Sequence, residues 1–248
     1  MTSEYFYKFF LILISGVAYP GMAQVQLNEI LILSNSSVKA ETGTDKIQSR
    51  LKESNKKAGT AGYQLFKADR GKYKGDFLMT CMGEGKIKDG PFNELADILN
   101  TPSSFTAYKL IGANKFSSLP KAGILGIHYL KVKQDKTKSF EKFVEEKLNP
   151  VLGQLLPDMQ MLYYKASVGQ QTGSYITIFT IESIAARDKY WPEGSETEKL
   201  KETFRPLQNL ALELSAYLED GSYLKPESGG AAAYFESLDW TDYILLQL

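Results

Sequence analysis

The sequence predicts an α+β fold made of two β-α-β-β-α-β halves in one chain of 248 residues. Three observations carry this. Short β-rich runs alternate with period two, segments of helical period fall between them in the same order in both halves, and a stretch rich in Gly, Ser, Pro and Asn, residues 113–123, separates the halves.

The second half is the clearer one. Ile124 to Lys133 is β-rich. Ser139 to Leu156 sets Phe140, Phe143, Val144, Leu148, Val151, Leu152 and Leu155 at helical spacing, with a kink expected at Pro150, which has no N–H to give the helix ladder. Two strands follow, Gln160 to Val168 and Ser174 to Glu182, joined through Gly169-Gln170-Gln171-Thr172-Gly173. A short helical piece starts at Ile184 and breaks at Trp191-Pro192. A longer helix starts at Ser195, where Ser195 and Glu198 form a capping box, and its apolar face carries Leu200, Phe204, Leu207, Leu210, Ala211, Leu214 and Leu218. Asp242 to Leu248 is the last strand.

The first half repeats the order more faintly. Leu27 to Ser34 reads as a strand, Asp45 to Lys57 as a polar helix, Tyr63 to Ala68 and Asp76 to Met82 as a strand pair, Pro91 to Asn100 as a short helix and Phe105 to Ile111 as a strand. The halves share pattern rather than residue identity. A β-α-β-β-α-β unit is ferredoxin-like, an antiparallel sheet with both helices on one face, and its bare face needs a cover. Two such units in one chain can cover each other sheet to sheet, which makes a monomer the expected state.

The stretch from Phe179 to Trp191, a strand that leaves through Glu182-Ser183 into a helix bearing Ala185, Ala186, Arg187 and Trp191, resembles the matching segment of the dimeric α/β-barrel superfamily, especially its NIPSNAP-like and monooxygenase-like members. The resemblance implies a tandem repeat closing as an intramolecular α/β barrel, and a small-ligand cavity between sheet and helices in the members that are enzymes.

The N-terminus sets its own boundary. A weakly basic start, the apolar run Phe9 to Ile14 and the small-residue step Gly21-Met22-Ala23 read as a cleavable secretory signal over residues 1–23. The run is shorter than the roughly 20 residues a membrane span needs. The domain reading is therefore a signal peptide at 1–23, a first repeat at 24–112, a linker at 113–123 and a second repeat at 124–248. An exported protein of the bacterial periplasm or extracellular space is expected, with no membrane partner. Asn35-Ser36-Ser37 fits a glycosylation sequon.

Composition removes several function classes. Basic and acidic residues balance at 29 each, so no electrostatic footprint for nucleic acid exists. Cys81 is the single cysteine and His128 the single histidine, which rules out an internal disulfide and the His/Cys sets of a zinc site. No Gly-x-Ser-x-Gly elbow occurs, and the glycines from Gly83 to Gly90 lack nucleotide-loop spacing. Cys81 reads as a buried small hydrophobe. No metal or cofactor is called for.

Strand parity names the candidates. Pairing Val168 with Ser174 groups Leu162, Tyr164, Ala166, Val168, Ile176 and Ile178 on one apolar face, expected under the helices. Met161, Tyr163, Lys165, Tyr175, Thr177, Phe179 and Ile181 fall on the other, expected toward the opposing repeat. His128 belongs to the unbroken set Ile124, Gly126, His128, Leu130, Val132, expected on the helix side. There a neutral imidazole can serve as general base or haem ligand, and the alternative is a core histidine bonded to backbone. Tyr164, Tyr190 and Trp191 are the candidate ligand-binding aromatics, with core packing as their alternative. Binding of a small apolar or aromatic ligand, or of a partner, is the first functional expectation. A cofactor-independent monooxygenase or haem-handling enzyme using His128 is the second.

Overall fold

The computed structural model describes residues 29–33, 44–58, 62–83, 105–114, 123–156, 159–169, 172–192, 197–198, 202, 205–219 and 240–246. The signal segment, the sequon, the helix expected at 91–100, the Gly-rich loop beyond Gly83, most of the linker, the side chain of Cys81 and the helix start at Ser195 with Leu200 and Phe204 lie outside the described residues.

Eight strands, β1 (Glu29–Leu33), β2 (Gly62–Gly71), β3 (Phe77–Gly83), β4 (Phe105–Ala113), β5 (Ile124–Leu130), β6 (Gln160–Gly169), β7 (Tyr175–Ile181) and β8 (Trp240–Leu245), close into a barrel in the order β1-β3-β2-β8-β5-β7-β6-β4. All the pairings are antiparallel. The first four strands run β4-β1-β3-β2 and the last four β8-β5-β7-β6, the same relative order. The two sets meet edge to edge, β4 on β6 and β2 on β8, rather than stacking as two separate sheets. Edge pairing satisfies the backbone groups that an open sheet edge would leave bare.

Among the described residues five α-helices lie outside the strands: α1 (Thr44–Ala58), α2 (Thr137–Phe143), α3 (Asn149–Leu155), α4 (Ile184–Asp188) and α5 (Gln208–Tyr217). The break expected at Pro150 takes the form of a π-helical turn, Val144–Leu148, between α2 and α3, in which the Asn149 N–H bonds the Val144 carbonyl five residues back. Proline's missing donor is absorbed by this local change in ladder. Ser183 caps α4, its Oγ accepting from the Ala186 N–H at 3.1 Å. Among the described residues no helix is long and apolar enough to cross a membrane.

The core has two layers. Phe66, Leu78, Leu125, Ile127, Leu162, Tyr164, Ala166, Ile176, Ile178 and Tyr243 meet inside the barrel, contributed by strands alone. Met161, Tyr163, Tyr175, Phe179 and Ile181 meet Phe140, Phe143, Leu148, Leu152, Ala211 and Leu214 outside it, under the helices. The face expectation for β6 and β7 is therefore reversed. Tyr164 and its set line the barrel interior, while Tyr163, Tyr175 and Phe179 pack beneath α2, α3 and α5. The reason lies in Lys165. Its Nζ reaches Glu141 on α2 at 2.7 Å, and Tyr175 donates to the same carboxylate oxygen at 2.6 Å, so the mixed set suits the helix side and the uncharged set suits the sealed interior. The pairing register also differs by two residues, with Tyr164 opposite Ile176 and Tyr163 opposite Thr177. Val168 and Gly169 run past β7 to pair with Ala107 and Thr106 of β4, which lengthens the β6–β7 loop.

Candidate functional site

On β5 the helix-side positions are Ile124, Gly126, His128 and Leu130. Register places His128 between Thr177 of β7 and Trp240 of β8, and Gly126 between Phe179 and Asp242. His128 does face the helices. Its ring lies edge-on to Phe179, centroids 5.2 Å apart, and only 7% of the residue is exposed. Burial pushes its pKa down to about 3, so the imidazole is uncharged at neutral pH.

Gly126 is where this face changes character. A Cβ added there would lie 3.1 Å from Oδ1 of Asp242 and 3.6 Å from Cβ of Phe179, so the missing side chain is the room that the carboxylate occupies. The other oxygen, Oδ2, accepts from Nη1 of Arg187 at 3.5 Å. Arg187 comes from α4, and 2% of its side chain is exposed. It donates Nη1 to Asp69 Oδ2 at 2.9 Å and Nε to Asp188 Oδ1 at 3.0 Å. Arg70 joins the same group through Asp188 at 3.3 Å and through the Trp191 carbonyl at 2.9 Å. This network ties β2, β8 and α4 together across the seam between the two strand sets.

Burial is the largest influence on Asp242 and raises its pKa to about 6, with Arg187 and Arg70 opposing. Burial also works against the Arg187 charge, but the hydrogen bonds it donates to Asp69 and Asp188 and the charges of Asp242 and Asp188 outweigh it and raise that pKa. Three carboxylates thus face two guanidinium groups. Among the described residues no group of three or more His, Cys, Asp or Glu is arranged to hold a metal.

Tyr190 and Trp191 lie just past α4, their rings tilted against each other at 5.8 Å, both backbone N–H groups donating to the Arg187 carbonyl at 2.9 Å. Tyr190 is buried in the helix-side core and Trp191 packs against it. The structure therefore joins His128, through its contact with Phe179, to the helix-side layer that holds Tyr190 and Trp191, and puts Tyr164 on the opposite face of the sheet. Sequence reasoning passed over Gly126, Asp69, Asp242 and Arg187 as site residues. The signal available was Asp242, a lone acid at an alternating apolar position of a strand, next to a lone glycine in β5.

His128 fits a haem in donor chemistry, being a buried imidazole kept uncharged, the state an iron ligand requires. His128 would be the residue to hold the iron, with Phe179 packed beside its ring at 5.2 Å, and the group would supply redox chemistry there.

The sequence matches no protein-family profile and no curated protein. Solved structures do resemble it. A candidate monooxygenase from Lactobacillus acidophilus NCFM superposes with a TM-score of 0.51 at 10% identity, over 88% of this chain and 94% of that one. A heme-binding protein from Thermus thermophilus gives 0.49 at 12% identity over 89% and 91%. A candidate monooxygenase from Fusobacterium nucleatum gives 0.47 at 10% identity over 91% and 94%. At such identities the likeness is one of fold, and the first of these shows a ferredoxin-like α+β barrel.

Proposed function

We propose that the chain is an exported, monomeric α/β-barrel protein, made by internal duplication, that binds a small apolar or aromatic molecule between the sheet and α4. The matching order of its two strand sets supports the duplication. The signal-like N-terminus supports export. One observation carries the ligand reading: the single histidine is buried against the Phe179 ring, at 5.2 Å, in the helix-side layer to which Tyr190 and Trp191 also belong. An aromatic wall with one convergent polar group is the usual make-up of a small-molecule site. Indole added to the protein should raise its melting temperature, and His128→Ala together with Phe179→Leu should remove that rise. An unchanged melting temperature in the wild type across a set of small aromatics counts against the reading.

The same uncharged imidazole favours a second reading, a haem-handling or oxygenase activity centred on His128. Fold alone does not decide it. Haem added to the wild type should give a shifted Soret band that His128→Ala abolishes. A wild-type spectrum equal to that of free haem removes the haem version and leaves the first reading in place.

A further inference from the structure

The barrel interior holds a feature that the helix-side site does not use. Tyr164 is fully buried, and its hydroxyl has no hydrogen-bond partner. Ser174 Oγ is also buried and makes no hydrogen bond of good geometry. The two are neighbours. The Ala166 N–H donates to the Ser174 carbonyl at 2.8 Å, which sets Ser174 opposite Ala166, while Tyr164 pairs with Ile176. Tyr164 and Ser174 thus occupy diagonal positions on the inner face of adjacent strands. Tyr108, paired with Ala166 from the other side, completes the corner. Burial raises its pKa to about 12, with the nearby Ser174 hydroxyl pulling the other way.

Two unsatisfied hydroxyls side by side are uncommon in a native interior, where nearly all buried polar groups have a protein or solvent partner. The side chains that meet here are apolar residues and tyrosines, surroundings that favour a neutral partner over an ion. An eight-stranded barrel leaves room for side chains and at most one small ligand, so that partner is also small.

We propose that the corner formed by Tyr108, Tyr164 and Ser174 is an internal binding site for a neutral hydroxyl group, that of a water molecule or of a small alcohol or phenol, held between the Tyr164 and Ser174 hydroxyls. It is independent of the helix-side reading, because Tyr164 and His128 lie on opposite faces of the sheet.

The sign of a mutational effect tests it. A guest that bridges the two hydroxyls is lost when either is removed, so Tyr164→Phe and Ser174→Ala should each lower the melting temperature by about 2–4 °C, the usual shift for one hydrogen-bonded contact in a chain of this size. The double variant should fall no further than the weaker single one. An additive-free crystal structure with an ordered oxygen between the two side chains identifies water as the source. An anomalous bromine peak at Tyr164 after soaking with 4-bromophenol, with a melting temperature raised in the wild type and not in Tyr164→Phe, identifies a phenol. Tyr164→Phe melting at or above the wild type overturns the proposal, as does a direct Tyr164–Ser174 hydrogen bond in the crystal.

Discussion

The two faces of β5 are equally buried and chemically unlike. Inward, Leu125 and Ile127 are sealed among apolar side chains and tyrosines contributed by strands. Outward, Gly126 and His128 share their layer with a carboxylate and, beyond it, the Arg187 network. Burial therefore does not separate packing from a candidate site in this molecule. What separates the faces is the kind of ionisable group each holds: tyrosines such as Tyr108, raised by burial, inside, and a histidine and a carboxylate, His128 and Asp242, outside.

The sharpest way to break that contrast is to remove the central cation. Arg187→Met keeps much of the volume and leaves Asp69, Asp188 and Asp242 without their shared partner, so a loss of about 3–5 kcal/mol is expected by denaturant unfolding. A loss below about 1 kcal/mol, the level of an ordinary surface pair, would make the network a bystander.

A second contrast separates the two titrating groups by pH. The folded state holds Asp242 protonated up to about 6 where the free carboxyl, at 3.8, has ionised, so its contribution to stability falls as pH rises between those values. His128 behaves oppositely. Its folded pKa of about 3 lies below the free imidazole's 6.5, so its contribution rises with pH across that window. Relative to wild type, Asp242→Asn should gain stability from about pH 4 toward about pH 7, on the order of 3 kcal/mol at most. His128→Gln should instead gain as pH falls. Parallel profiles for the two variants would refute the opposed signs.

How much of this the sequence carried depends on the kind of information. Among the described residues the order of the strands and their parity were legible because both follow from local periodicity, and Tyr163 and Tyr164 do fall on different faces. Which face met the helices was not legible, since both sets are largely apolar and the deciding contact, Lys165 with Glu141, joins residues 24 apart on two elements. The Arg187 network was hidden for the same reason. Its contact with Asp69 spans 118 positions, and no local pattern announces it.

The smallest effect concerns Gly126. An alanine there meets Asp242 Oδ1 and should cost about 1–3 kcal/mol as overpacking. Placing it in an Asp242→Ala background should recover most of the loss, and a penalty unchanged in that background would show that the carboxylate does not fill the gap.

Because the chain has one histidine, its ring gives one ¹H–¹³C signal, and that signal tests the helix-side reading directly. The account predicts a His128 resonance that stays in its neutral position from about pH 8 to about pH 5, as a buried imidazole should. It also predicts a saturable shift of that resonance when indole is added at neutral pH. A resonance that titrates near the ordinary imidazole value of about 6.5 and ignores indole would contradict both the sealed, uncharged histidine and the site built around it.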